Sequence, residues 1–207
     1  MLVCGVDEAG RGSMLGPLVI AGVLIEKSKI PELEKIGVKD SKKLSPKMRQ
    51  ELYKKILRIV DDYKIFKATP RQIDLAVNQH KLNYLESMNM AKVISHLKPS
   101  LSYVDSCDVN ATRFGNEINK MTRRKIKSYH HADSKFIVVS AASIIAKVTR
   151  DNAIATINKK YPVGSGYPSD PTTVSFVKSW FSEHGKLPEC VRKSWAPSKL
   201  IMSQTLT

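Results

Sequence analysis

Two short runs near the amino terminus, residues 2–6 and 18–25, are apolar, rich in β-branched residues and bounded by glycine. That pattern predicts two strands, with Gly10, Gly12 and Gly16-Pro17 supplying the turn between them. Ser45-Pro46 sets an N-cap ahead of a first-turn proline, and Met48, Leu52, Ile56, Ile59 and Tyr63 follow at helical spacing. A helix is therefore expected to about Asp61. Residues 64–68 read as a third strand, after which Thr69-Pro70 caps a short helix. Leu82, Leu85, Met88 or Met90, Ile94 and Leu97 form an amphipathic helix stopped by Pro99. A fourth strand is expected at 101–105, a helix around 111–120 and a fifth strand at 125–129. Alanines and β-branched residues at helical period from 138 to 160 predict one long, largely buried helix. Three strands, expected to be antiparallel neighbours, followed by strands alternating with helices, suit a mixed α/β sheet covered by helices.

Composition narrows the function classes. The chain has 207 residues, 42% of them hydrophobic, which supports a buried core and argues against wholesale disorder. Its apolar runs at 16–25 and 136–146 fall short of the roughly 20 residues that a membrane-spanning helix needs. The opening residues carry no basic leader followed by an apolar stretch, so no signal peptide is expected. Cys4, Cys107 and Cys190 lie far apart, forming neither a disulfide framework nor a CxxC knuckle, and a reducing cytoplasm is the expected compartment. No internal repeat and no long Gly/Ser/Pro linker is present, so a single domain over 1–207 is expected, with about 165–207 as a helical extension.

The formal net charge of +15 points to a polyanionic partner, nucleic acid ahead of anionic membrane, against the plainer reading of a surface tuned for solubility. The surplus is uneven. Residues 1–25 sum to −1, 26–69 to +6, 70–108 to zero, 109–150 to +7 and 151–207 to +3.

Carboxylates at strand ends stand out in so basic a chain. Asp7-Glu8 ends the first predicted strand, Asp105 the fourth, and Asp133 lies just past the fifth. If the first and fourth strands are parallel neighbours, Asp7 and Asp105 face each other at the switch point of the sheet, the usual place for an α/β site. Adjacent strand residues point to opposite faces, so Asp7 and Glu8 share one site only where the backbone turns away. Like charges that close cannot all stay ionised, and a divalent cation with a preference for hard oxygen, Mg²⁺ or Mn²⁺, is the natural remedy. Each acid taken singly also suits a surface position or a helix cap, Asp133-Ser134 especially.

Other motifs are less specific. Gly10-Arg11-Gly12 suits a phosphate or sugar clasp, or a plain tight turn, and lacks the third glycine of a dinucleotide fingerprint. Ser41, Lys42 and Lys43 suit phosphates or solvent. The loop at 164–171 presents Tyr167 between glycine and proline, placed to stack on a sugar or base or to plug the packing. His130-His131 have no partners at zinc-finger spacing, and no Gly-x-Ser-x-Gly elbow supports a serine hydrolase.

The run from Gly5 to Pro17, Gly-Val-Asp-Glu-Ala-Gly-Arg-Gly-Ser-Met-Leu-Gly-Pro, resembles the amino-terminal signature of type 2 ribonuclease H (ribonuclease HII). The resemblance continues through Asp40-Ser-Lys-Lys-Leu44, Ile73-Asp74, Leu82-Asn83, Tyr103-Val-Asp105, Ala132-Asp133, Ser140-Ala-Ala-Ser-Ile-Ile-Ala-Lys147 with Arg150-Asp151, and the 164–171 loop. Together with Arg192-Lys-Ser-Trp195, that loop is similar to archaeal members. The resemblance implies a ribonuclease-H-like fold and an endonuclease that cuts the RNA strand of RNA/DNA hybrids and the 5′ side of ribonucleotides embedded in duplex DNA. It implies that Asp7, Glu8, Asp105 and Asp133 hold two Mg²⁺ or Mn²⁺ ions. By the same resemblance Gly10, Arg11 and Gly12 contact the ribose 2′-hydroxyl, Tyr167 stacks at the RNA-to-DNA junction, and Lys42, Lys43, Ser140 and Lys147 contact backbone phosphates. A monomer is expected. The tail from Ser198 lacks the paired aromatics of a sliding-clamp motif, so that partner is not expected.

Overall fold

A computed structural model describes residues 1–38 and 45–204. Five strands form one mixed sheet: β1 (Leu2–Ala9), β2 (Leu18–Glu26), β3 (Asp62–Ala68), β4 (Leu101–Asp105) and β5 (Ile126–Tyr129), in the order β3-β2-β1-β4-β5. β1 runs antiparallel to β2 and parallel to β4, and β4 is parallel to β5. The expected mixed sheet is present, with β1 and β4 side by side.

Helices follow β2 and each later strand: α1 (Ile30–Lys35), α2 (Pro46–Ile59), α3 (Pro70–Asn78), α4 (Leu82–Leu97), α5 (Ala111–Thr122), α6 (Ala132–Lys135), α7 (Ile137–Asn158), α8 (Pro171–His184) and α9 (Ala196–Gln204). Their ends follow from local chemistry. Ser45 caps α2 through Met48 N–H, and Thr69 with Gln72 closes a capping box on α3. Asp170 caps α8, which Gly185 ends in the left-handed region. α1 was not expected from periodicity. Its six residues bury only Leu33, too little for a repeat to show.

Among the described residues the chain divides into two compact units, one built from 1–9, 19–66 and 83–148, the other from 10–18, 67–82 and 149–207. In the first unit, strand alternation sorts the core into two layers. Val3, Ala9, Val19, Ala21, Val23 and Ile25 pack against the first half of α7 and against α2. Cys4, Val6, Ile20 and Leu24 pack against Met90, Val93 and Ile94 of α4 and Phe114 of α5. Gly5 allows β1 to cross the start of α7 at backbone contact, since a Cβ there would stand 2.2 Å from the carbonyl of Val138. That close crossing sets which α7 side chains reach the end of β1. In the second unit Met14, Leu15, Ile154, Val163, Val177, Phe181 and Val191 make a separate core. No helix among the described residues is long and apolar enough to cross a membrane.

Candidate active site

The parallel ladder between β1 and β4 ends at Val6 opposite Val104, so Asp7 and Asp105 are the next residues on the two strands at their carboxyl ends. Asp7 is buried, 5% exposed. Its carboxylate accepts the Glu8 backbone N–H at 2.7 Å, and the Ser143 side chain of α7 lies near enough to bear on its charge. Burial, and then the neighbouring Asp105 charge, push the Asp7 carboxyl up to about 7, while Ser143, the Glu8 N–H and Lys147 pull the other way. The two aspartates therefore act on each other as the strand arrangement requires.

Asp133 is joined to this pair through the backbone. Asp105 Oδ1 accepts the Ala132 N–H at 2.8 Å, and the buried Ser140 hydroxyl donates to the Asp133 carbonyl. Asp133 sits in the first turn of α6, itself buried, behind His131 in the left-handed conformation. Phe136, extended between α6 and α7, stacks on Tyr103 of β4 with ring centres 4.2 Å apart. The turn is thus clamped to the β4 end from two sides.

Glu8 is placed differently from the sequence expectation of a strand ending at Asp7-Glu8. β1 stays paired with β2 through Ala9 opposite Val19, so the pleat puts the Glu8 and Asp7 Cβ atoms on opposite faces. The cause is β2, which is longer than β4 and holds β1 extended after β4 has left it. Among the described residues no three His, Cys, Asp or Glu side chains form a ready metal-holding group. Asp7 and Asp105 meet, Asp133 is tied beside them, and Glu8 follows on the strand. Their chemistry nonetheless fits a divalent cation, because these are hard oxygen donors and a buried carboxyl with a raised pKa gains most from a positive charge.

Lys147 lies close enough to bear on the Asp7 charge. Ser140 has its hydroxyl committed inside the protein. Lys42 and Lys43 lie outside the described residues.

The loop after β4 is held by Asp108, which sequence reading passed over. Its carboxylate receives Arg113 Nη2 at 2.7 Å, Asn110 N–H at 2.8 Å and Asn83 Nδ2 at 3.1 Å. Arg113 first, with these amides, holds the carboxyl down at about 2. Asp108→Ala should cost about 1–2 kcal/mol at neutral pH, the range for a charge-assisted hydrogen bond with one partner in solvent. A depressed acid gives stability that is complete above its unfolded value and lost as pH falls toward 2. Denaturant titrations of both proteins should therefore converge between pH 4 and pH 2, and a gap that stayed constant would refute this role.

The second unit holds the Gly10-Arg11-Gly12 turn and Tyr167. Gly10 has φ +85°, and a Cβ there would meet the Pro17 carbonyl at 2.9 Å. Gly12 is exposed, with ordinary φ and no atom within 4 Å of a Cβ position. The fold therefore demands glycine at position 10 but not at position 12. Tyr167 packs its half-buried ring on the Arg150 guanidinium, 4.2 Å from centroid to Cζ. Arg150, itself buried, donates to Ser13 Oγ at 2.9 Å and the Ser165 carbonyl at 2.6 Å. Arg150 and Ser143 were missed as site residues, although a charge inside an apolar helical period and a serine three residues after Ser140 are visible signals.

Comparison with known proteins completes the picture. The ribonuclease HII family model matches residues 4–198. Ribonuclease HII of Cenarchaeum symbiosum is 52% identical over 201 residues, covering 97% of this chain and 98% of that protein. The solved ribonuclease H2 of Pyrococcus horikoshii superposes with a TM-score of 0.94 at 42% identity, covering all of both chains. The ribonuclease HII of Archaeoglobus fulgidus, solved in complex with PCNA, gives 0.89 at 40% identity over 96% of each chain. With the match running through nearly the whole sequence, and on the fold that brings Asp7 to Asp105, this chain belongs to the ribonuclease HII family.

Proposed function

We propose that the protein hydrolyses the RNA strand of RNA/DNA hybrids and also incises duplex DNA on the 5′ side of an embedded ribonucleotide. The ends left are a 5′-phosphate and a 3′-hydroxyl. The observation that carries this reading is the buried Asp7 carboxyl beside Asp105 at the carboxyl ends of parallel strands, in a protein of net charge +15. Asp7 and Asp105 would hold divalent ions with help from Asp133, while Glu8, whose Cβ lies on the other face of β1, would have to reach them around the strand end. Once bound there, Mg²⁺ or Mn²⁺ would supply an activated water for in-line attack on phosphorus and neutralise the departing 3′ oxygen.

The remaining work falls to the protein's own groups. Lys147 offsets the charge that collects around Asp7. The Glu8 N–H fixes the Asp7 carboxylate so that its oxygens are aimed before substrate arrives, with the Ser143 side chain beside it. Basic residues at 26–69 and 109–150 attract the duplex in a salt-dependent way. Discrimination between RNA and DNA has to rest on the 2′-hydroxyl, and the exposed backbone of Gly12 is the group we assign to it. Tyr167 reads the junction where RNA gives way to DNA by stacking.

A duplex with one ribonucleotide, run beside its all-DNA twin with Mg²⁺ or Mn²⁺, tests the reading. Cleavage of the first alone is expected, and cleavage of neither or of both overturns it. Gly12→Ala should leave the folding stability within about 1 kcal/mol of wild type and cut turnover about tenfold or more. Gly10→Ala should instead destabilise by about 1–3 kcal/mol from strain at positive φ. If Gly12→Ala retained full activity, ribose reading there would be wrong. Tyr167→Ala should reduce cutting at a lone ribonucleotide about tenfold more than cutting of a long hybrid, since stacking is worth about 1–3 kcal/mol per base. Equal losses on the two substrates would remove its junction role.

A further inference from the structure

Arg192 is fully buried, an unusual state for an arginine. Its position is fixed by a short backbone pairing, in which Leu15 bridges Val191, Gly16 N–H donates to the Cys190 carbonyl at 2.8 Å, and Arg192 N–H donates to the Met14 carbonyl at 2.8 Å. From there the guanidinium stacks over Trp195, with Cζ 5.4 Å from the ring centre. It donates Nη1 to the Arg11 carbonyl at 2.9 Å and Nε to the Gly16 carbonyl at 3.2 Å. One side chain thus closes the ends of the turn that begins at Gly10.

The bond to Arg11 has a directional consequence. The peptide joining Arg11 to Gly12 is trans and planar, so its C=O and N–H point opposite ways. Holding the carbonyl inward against a buried guanidinium turns the Gly12 N–H the opposite way, and Gly12 itself is exposed. The positive charge on the carbonyl also polarises the peptide and makes its N–H a better donor. We propose that Arg192 is a positioning residue for sugar discrimination, fixing the Gly12 N–H as an outward donor to the ribose 2′-oxygen. This rests on the assignment of ribose reading to the Gly10–Gly12 turn.

The test uses Arg192→Lys, which keeps the charge but cannot reach both carbonyls with one ammonium. Affinity is measured by fluorescence anisotropy for a duplex with one ribonucleotide and for its all-DNA twin, without a metal that supports cleavage. Wild type should prefer the ribonucleotide duplex. The variant should lose about fivefold or more of that preference while binding the all-DNA duplex as wild type does. Its KM for a long hybrid, which offers the same ribose contact, should rise by a similar factor. If the wild type itself shows no preference, ribose reading is wrong and the proposal falls with it. If wild type discriminates and a folded Arg192→Lys discriminates equally, the proposal alone is overturned. Should the variant not fold, the wild-type Gly12 amide decides by NMR. Rapid solvent exchange in the free protein, slowed by the ribonucleotide duplex and not by its twin, supports the outward donor, whereas protection already in the free protein overturns it.

Discussion

Asp7→Asn should lower cleavage at least about 10³-fold and, in the metal-free protein, raise the melting temperature above pH 7. The two effects have one source. Asn keeps the shape of Asp and its ability to accept from the Glu8 N–H, but it carries no charge to hold a cation. The Asp7 carboxyl stands at about 7 in the fold, first because it is buried and then because Asp105 is beside it. In the unfolded chain it titrates at about 3.9. Between those values the folded state binds the proton that the unfolded state releases, so wild type loses stability as pH rises through this window and stays level above it. The full span corresponds to at most about 4 kcal/mol, and the amide's own burial offsets part of that. A gain of about 2 kcal/mol at pH 8 is expected, or roughly 4–8 °C for a chain of this size, shrinking to nothing near pH 4. Scanning calorimetry on both proteins across that range checks the sign. A variant that melts lower than wild type at pH 8, or that cleaves normally with Mg²⁺, would contradict the assignment.

Chelation should abolish cleavage, and Mg²⁺ or Mn²⁺ at millimolar concentration should stabilise the chelated protein with a strong dependence on pH. A cation that binds only the folded state at about 100 times its dissociation constant adds about 2.7 kcal/mol. Binding requires the Asp7 proton to leave, so the gain should be largest at pH 8 and small at pH 5.5. Asp7→Asn should flatten this dependence and Asp105→Asn should weaken it. Thermal melts with and without metal at the two pH values, paired with cleavage gels, give the answer. Cleavage that survived exhaustive chelation would rule out the metal-dependent reading, and equal stabilisation at both pH values would place the cation elsewhere.

Much of this was legible because the signals are local. The apolar runs that became β1 and β2 alternate against two helix layers, and proline with Ser45 or Thr69 starts α2 and α3 where caps require. The parallel pairing of β1 with β4, a condition at the level of sequence, is met in the fold and puts Asp7 near Asp105. Helix α1 stayed hidden since six residues do not make a period, and the end of β1 was read early because its extension depends on β2.

By itself, then, the amino-acid sequence determined the mixed sheet, the placing of carboxylates at strand ends and the motifs shared with ribonuclease HII, all written in spacing along the chain. Only the tertiary structure decided which groups act on them. Ser143 comes near Asp7 because Gly5 lets β1 meet α7 at backbone contact. Arg192 reaches Arg11 across 181 residues of chain because a two-stranded pairing brings it there. Contacts of that separation depend on packing geometry, which no local pattern of residues encodes.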